Sequence, residues 1–398
     1  MEKIPVILIF DIGKTNKKRL LYNEQYDLVF ENSIQIPEIL DEDGFNTENI
    51  TALTHWIRES IHEIKNSKEY LLRYTYYAAY GASFVYLDEQ GNVLTPLYNY
   101  LKPLEKKTKE RFEENYGPIN KLCLETASPD LDNLNSGLQL FRLKVEKPEL
   151  FSKIKWALHL PQYIHYLVTG EVAADITSIG CHTLLWNYRQ NRYHDWVIAE
   201  GLDKKLPPIT SHVGLHDSSA ALIPYLHAEA EPFVLISTGT WCISLNPFNQ
   251  TSLTVQELQQ DTLCYLTFKG TPVKASRLFA GKKHEDELSK IKAANLTGSA
   301  YESAYEKMML QIIQDQIKST DLILNGSSVK RIYVDGGFSK NEYYMKGLAK
   351  AYPEMQVFAA EVPNASSLGA ALAVHDKWNT KEISQSFLKV IQYADAVK

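Results

Sequence analysis

Two segments of the chain share one design. Residues 6–23 read VILIFDIGKTNKKRLLYN, and residues 232–246 read PFVLISTGTWCISLN. Each is a short apolar run, a polar turn containing a glycine, and a second apolar run. Such lengths, bounded by turn residues, predict strands of a buried sheet. A pair of like hairpins, one in each half, predicts a duplicated domain. A third strand, RIYVDGG over 331–337, again ends in an acid followed by glycines.

Helical patterns lie between these strands. Leu53, Trp56, Ile57, Ile61 and Ile64 fall on one helix face, and Met308, Ile312, Ile313 and Ile317 do the same within 301–324. Asn341–Tyr352 and Ser366–Lys377 each fit a helix after a Gly-rich turn. Alternating strands and helices predict an α/β layered architecture. A chain of 398 residues exceeds one ordinary core, so two domains are expected. The stretch KLPPITSHVGLH (205–216) has two prolines and no helical period. The expected division is therefore 1–213 and 214–398.

Composition narrows the function. At 44% hydrophobic and 23% charged residues the chain reads as an ordinary soluble globular protein. A net charge of -6 argues against a nucleic-acid partner, which calls for a basic face. Cys123, Cys181, Cys242 and Cys264 are scattered, with no CxxC, and read as small core residues of a reduced, cytoplasmic protein. No apolar run reaches the ~18–20 residues of a membrane helix, so no membrane partner is expected.

Five places carry candidate chemistry. Asp11 ends a strand, and Gly13 lets backbone approach a ligand. N–H groups of the turn suit phosphate oxygens, and the carboxylate suits the water shell of Mg²⁺. Lys14, Lys17 and Lys18 add positive charge. By itself the stretch reads equally as a hairpin with a solvated basic turn. Thr238, Gly239 and Thr240 offer a second set of short donors. Asp335-Gly336-Gly337 precedes a helix that Ser339 or Asn341 would cap, and a flat group fits against its glycines. The helix start Ser366-Ser367-Leu368-Gly369 suits either a nucleotide or close helix–sheet packing. His216-Asp217 precedes a run of small residues, placing an acid at a helix start where it can take a proton from a hydroxyl. In isolation Asp217 reads more simply as a helix cap, and His216 as its structural neighbour. A P-loop (GxxxxGK[ST]) and a GxGxxG fingerprint are both missing.

Together these residues resemble the FGGY carbohydrate kinases, within the superfamily of sugar kinases, actin and heat-shock ATPases. Asp11-Ile-Gly-Lys-Thr-Asn-Lys-Lys18 is similar to the family's first phosphate motif, and Ser237-Thr-Gly-Thr240 to its second. Asp335 to Asn341, with Ser367 to Ala371, resembles the adenosine motif. His216-Asp217 resembles the position of the catalytic aspartate. Tyr163 to Glu171, with Asp175 to Ser178, is similar to the family's LTGE-type turn near the sugar. Leu263 to Phe268 and Lys274 to Phe279 resemble the rhamnulose-kinase-like branch. The similarity runs from about residue 6 to 376. Three departures stand out: Tyr98-Asn99-Tyr100 replaces a tryptophan–acid–arginine cluster, Lys14 stands where threonine is common, and the linker before Asp217 lacks the usual hairpin and strand.

The resemblance implies two RNase-H-like domains facing a central cleft, the N-terminal one for sugar and the C-terminal one for nucleotide. It implies an ATP- and Mg²⁺-dependent sugar kinase acting on a ketose or related polyol, for which a homodimer is open. Asp217 would be the general base and Asp11 the metal holder. Gly13, Lys14, Thr15, Lys18, Thr238, Gly239, Thr240, Gly336, Gly337 and Asn341 would meet ATP. Tyr80, Gly81, Ala82, Asn99, His216 and Asp217 would line the sugar pocket, with Thr177 a further polar group. Stacking by Tyr77, Tyr80 or Trp241 is conceivable, but burial in the core is the commoner fate of such rings. Two rivals remain: a non-catalytic sugar or nucleotide sensor on the same fold, and an actin- or chaperone-like ATPase.

Overall fold

Val6, Ile7, Leu8, Ile9 and Phe10 are completely buried. An unbroken apolar run needs a strand covered on both faces. That strand is β1 (Ile4–Ile12). The computed structural model describes residues 2–383 and 387–393. After β1 come β2 (Lys17–Asn23), β3 (Leu28–Ile34), α1 (Ile50–Lys65), β4 (Tyr70–Ala79) and α2 (Leu160–Thr169). Then follow β5 (Leu215–His216), α3 (Asp217–Ala228), β6 (Phe233–Thr238), β7 (Cys242–Asn246), β8 (Thr262–Leu266) and β9 (Pro272–Leu278). The chain continues through α4 (Gly298–Leu324), β10 (Arg331–Gly336), α5 (Glu342–Ala351), β11 (Gln356–Glu361), α6 (Ala365–Ala373) and β12 (Lys389–Tyr393). Shorter elements fill the remaining connections.

The chain forms two compact units. The first takes in residues through Pro224, Tyr265–Thr271 and the segment starting at Asn364. The second takes in Tyr225–Cys264, Pro272–Pro363 and β12. The first unit's sheet has the order β5-β4-β1-β2-β3. Strands β1, β2 and β3 are antiparallel in succession, and β4 and β5 add in parallel. The second sheet has the order β8-β9-β7-β6-β10-β11-β12. Its strands β9-β7-β6-β10-β11 repeat the same order and the same antiparallel-then-parallel pattern. This is the expected duplication of an RNase-H-like layer.

Helix positions follow the apolar periods. In α1, Leu53, Ile57 and Ile64 are buried, and Asn49 caps the start by accepting from the Ala52 N–H at 3.0 Å. In the second unit, Met308, Met309, Ile312 and Ile313 of α4 join the core that includes Val234, Ile236, Ile332 and Val334. Helix α6 packs on β1 and β4. Its Gly369 touches α3 so closely that an added Cβ would come 1.9 Å from the Ala220 carbonyl oxygen.

The first compact unit runs on past position 213, because β5 pairs with β4 and keeps the following residues with that sheet. Two expectations change. The linker before Asp217 does contain a strand, of two residues. The helix carrying Ser366 and Ser367 belongs to the first unit, although it follows the second unit's last parallel strand in sequence. Cys123, Cys181, Cys242 and Cys264 are buried thiols outside any disulfide. Among the described residues, no helix is long and apolar enough to cross a membrane.

Candidate active site

Strands β1, β4 and β5 are parallel and end at one edge of the first sheet. Register places Asp11 beside Ala78, and Ala78 beside Leu215. Asp11 and the His216-Asp217 pair therefore lie two strands apart, roughly 10 Å across the ladder. Open α/β sheets gather ligands at this carboxyl edge. The Asp11 carboxylate accepts from the Ser366 hydroxyl at 2.9 Å. Burial pushes its pKa up to about 6, and the negative charge of Asp217 adds to the rise, while Ser366 and Lys18 oppose it. A carboxylate buried in this way favours an incoming cation.

Asp217 opens α3, where a helix N-terminus favours an anion. Its side chain is 34% exposed. The Ser218 backbone N–H donates to its Oδ1 at 2.6 Å, and the Ser218 hydroxyl lies 3.3 Å away. His216 is buried, with Nδ1 3.2 Å from the same oxygen. The His216 backbone N–H donates to the Thr177 hydroxyl oxygen at 2.8 Å, and Thr177 in turn donates to Asp175. Thr177 is thus a brace beneath the His216 backbone.

The turn after β1 is closed by the Gly13 N–H donating to the Asn16 carbonyl at 2.9 Å. Thr15 is exposed at its tip. Its three lysines are all paired. Lys14 meets Glu38 at 2.7 Å, and Lys18 meets Glu31 at 3.0 Å and the Asn364 side chain at 2.8 Å. Lys17 is buried against Glu48 at 2.8 Å. The surplus positive charge read into this turn is therefore compensated, and Lys17 faces inward.

In the second unit, β6 and β10 end side by side, with Thr238 opposite Gly336. Thr238 is buried. Its hydroxyl donates to the Asp335 carbonyl and accepts from the Phe338 N–H at 2.9 Å. It clasps two loops, so its hydroxyl is already engaged, whereas its neighbours Gly239 and Thr240 are exposed. Gly336 has φ +88°, and a Cβ there would lie 2.0 Å from the Thr238 carbonyl oxygen, so only glycine fits. Gly337 faces open space. Asp335 accepts from the Tyr225 hydroxyl at 2.7 Å, and burial raises its pKa. Trp241 is 43% exposed. It rests on Phe279 at 4.4 Å, with the Arg277 guanidinium 5.4 Å from its ring. The expected core position holds for Tyr77 and Tyr80 and fails for Trp241.

Residues 6–212 match the model of the N-terminal domain of the FGGY family of carbohydrate kinases, and residues 230–327 match a C-terminal domain of that family. The chain belongs to the FGGY family. It is 25% identical to a rhamnulokinase of Halalkalibacterium halodurans over 188 residues, which are 41% of this chain and 39% of the relative. It is 23% identical to an L-fuculokinase of Escherichia coli over 299 residues, 68% of this chain and 60% of the relative. The chain thus spans less than two thirds of these curated relatives. Its fold matches the crystal structure of a carbohydrate kinase from Novosphingobium aromaticivorans with a TM-score of 0.81. That match has 20% identity and covers 99% of this chain and 95% of the other.

Within this FGGY chain, several residues read as sugar or nucleotide contacts serve the scaffold. The Tyr80 hydroxyl donates to Glu48 at 3.1 Å. Gly81 lies under the His216 ring, where a Cβ would come 2.5 Å from Cδ2. Ala82 has φ +74°, and its carbonyl accepts from Gln139 at 2.6 Å. Asn99 is buried, donates to the Asn46 carbonyl at 2.9 Å and accepts from the Leu101 N–H at 3.0 Å. Asn341 caps α5 through the Tyr344 N–H at 3.1 Å and donates to the Tyr305 hydroxyl at 2.8 Å. Sequence reasoning missed Ser366 as the partner of Asp11, and Glu48 as the hub of the first turn. Ser366 carried the right signal, a hydroxyl at a helix start, but was assigned to the nucleotide half.

Proposed function

We propose that the chain is an ATP-dependent sugar kinase that transfers the γ-phosphoryl group to a hydroxyl of a ketose or related polyol. The observation that carries this reading is the pair of acids at one sheet edge: the buried Asp11 and the partly exposed Asp217, close enough for the charge of one to raise the pKa of the other. Phosphoryl transfer spreads negative charge over oxygens, so positioning and charge neutralisation dominate its catalysis. Asp11 offers the oxygen donors of a buried carboxylate, which fits Mg²⁺. When bound, Mg²⁺ would neutralise phosphate charge. Asp217 orients the acceptor hydroxyl and accepts its proton. Gly13, Thr15, Gly239 and Thr240 supply turn donors for phosphate. Lys14 and Lys18 join them by exchanging their carboxylate partners, and Gly336 and Gly337 give a flat approach for the nucleoside. His216 sets the orientation of Asp217.

The test is phosphate transfer from ATP across a panel of ketoses and polyols, with L-rhamnulose and L-fuculose included because relatives are named for them. Asp217→Asn should lose about 10²–10⁴ in kcat and keep its nucleotide affinity. Equal turnover in the variant removes Asp217 from this role. Sugar or nucleotide binding without any turnover in the wild type favours the sensor.

A further inference from the structure

Beside Asp217, the first unit gathers three donors that suit a metal rather than a sugar. The Cys181 Sγ and one ring nitrogen each of His182 and His216 lie within 4.8 Å of one another, and all three residues are buried. Cys181 and His182 follow the short helix Ile176–Ile179, whereas His216 ends β5. We propose that Cys181, His182 and His216 form a Zn²⁺ site. This site is separate in chemistry from the Mg²⁺ assigned to Asp11.

Donor type argues for zinc. One thiolate and two imidazoles suit a borderline-soft ion, whereas Mg²⁺ takes oxygen. Tetrahedral Zn²⁺, with bonds of about 2.0–2.3 Å, sets its donors roughly 3.5 Å apart. From separations of up to 4.8 Å, a pair of donors needs to close by roughly 1.3 Å at most, within the reach of small χ rotations. Three protein ligands leave the fourth position for water.

The surroundings already aim both rings. His182 Nδ1 lies 3.3 Å from the Leu134 carbonyl, which directs its Nε2 to the metal. The Asn135 side chain holds the His182 carbonyl at 2.7 Å, with His182 itself at φ +32°. His216 Nδ1 lies 3.2 Å from Asp217 Oδ1. The Ser218 N–H also approaches Nδ1 at 3.2 Å, but it has the nearer Asp217 Oδ1 at 2.6 Å, so Nδ1 is able to carry the proton. That leaves His216 Nε2 as the ligand atom. A Cβ at position 81 would sit 2.8 Å from this nitrogen, so glycine keeps its place open. A ligating imidazole that donates its other N–H to a carbonyl or carboxylate is the usual support of a zinc site. On binding, the Cys181 thiol releases its proton to water as the S–Zn bond forms, and both imidazoles coordinate as neutral rings.

The experiment uses the full chain without ATP or sugar, so its result is independent of the kinase reading. Zn²⁺ is titrated against a chromophoric chelator, and Co²⁺ is added separately as a spectroscopic probe. One equivalent should bind, with a thiolate-to-cobalt charge-transfer band. Cys181→Ser should abolish the band, and Cys181→Ser and His182→Gln should each weaken Zn²⁺ binding by more than about 100-fold, beyond the usual loss for an outer-shell change. X-ray absorption of the zinc-loaded wild type should show one sulfur and two imidazole nitrogens, a readout that needs no variant to fold. Failure of the wild type to bind zinc, a zinc shell without sulfur, or a band retained in folded Cys181→Ser overturns the site.

Discussion

Lys17 and Glu48 form an ion pair inside the first unit, 1% and 2% exposed and 2.8 Å apart. Removing one partner leaves a buried charge without compensation, which costs about 3–5 kcal/mol. Lys17→Met should therefore lower the free energy of unfolding by about 3 kcal/mol in urea denaturation, and Glu48→Gln added to it should recover part of the loss. His159 gives a pH signature. It is completely buried, packs its ring against Phe84 with centroids 4.1 Å apart and shares a 2.8 Å hydrogen bond with Ser136. Burial, with a smaller contribution from His216, lowers its pKa from 6.5 to about 3. The folded state thus resists a proton that the unfolded chain takes up below about 6.5. This stability is present above 6.5 and is lost as the pH falls toward 3, with a slope of up to about 1.4 kcal/mol per pH unit. The melting temperature of the wild type should fall more steeply across this window than that of His159→Gln. At this scale the sequence showed which residue types were available but not how they were used. Lys17 and Lys18 are neighbours in one strand, yet β alternation turns the first inward and leaves the second half-exposed. Thr238 looked like a phosphate donor because nothing local reveals that its hydroxyl is already spoken for by Asp335 and Phe338.

Elements were the most legible level. The apolar runs of β1 and β6 and the one-sided periods of α1 and α4 are local properties, and each appeared where its pattern predicted. Strand β5 escaped notice because two residues carry no period, and only its pairing with β4 makes it a strand. The crossing of α3 and α6 was equally hidden, since it depends on segments far apart in the chain. There Gly369 sits where an added Cβ would be 1.9 Å from the Ala220 carbonyl oxygen and 3.2 Å from Pro224 Cδ. Alanine would gain about 1 kcal/mol in helix propensity. Overpacking against backbone costs about 1–3 kcal/mol. Gly369→Ala should therefore destabilise the protein despite its better propensity, as measured by urea denaturation. Because α3 begins with Asp217, the same variant should also lower kcat in the coupled ATP assay.

At the scale of the whole molecule, the duplication was legible from two hairpins, but the return of later segments to the first unit was not. A sequence read in order suggests consecutive domains, whereas the first unit recruits Tyr265–Thr271 and α6 from beyond the second unit's first strands. Residues 1–224 expressed alone should accordingly lack a cooperative thermal transition, while the full chain shows one. A sharp transition in the fragment, with well-dispersed amide resonances, would mean that α6 is dispensable to that unit. The bond between Ser366 and Asp11 joins residues 355 positions apart. During translation the carboxylate emerges early and its hydroxyl partner only after most of the polypeptide has left the ribosome. A nascent chain therefore cannot finish this corner until α6 arrives, and any message cut short before it yields a protein without the helix that closes the corner.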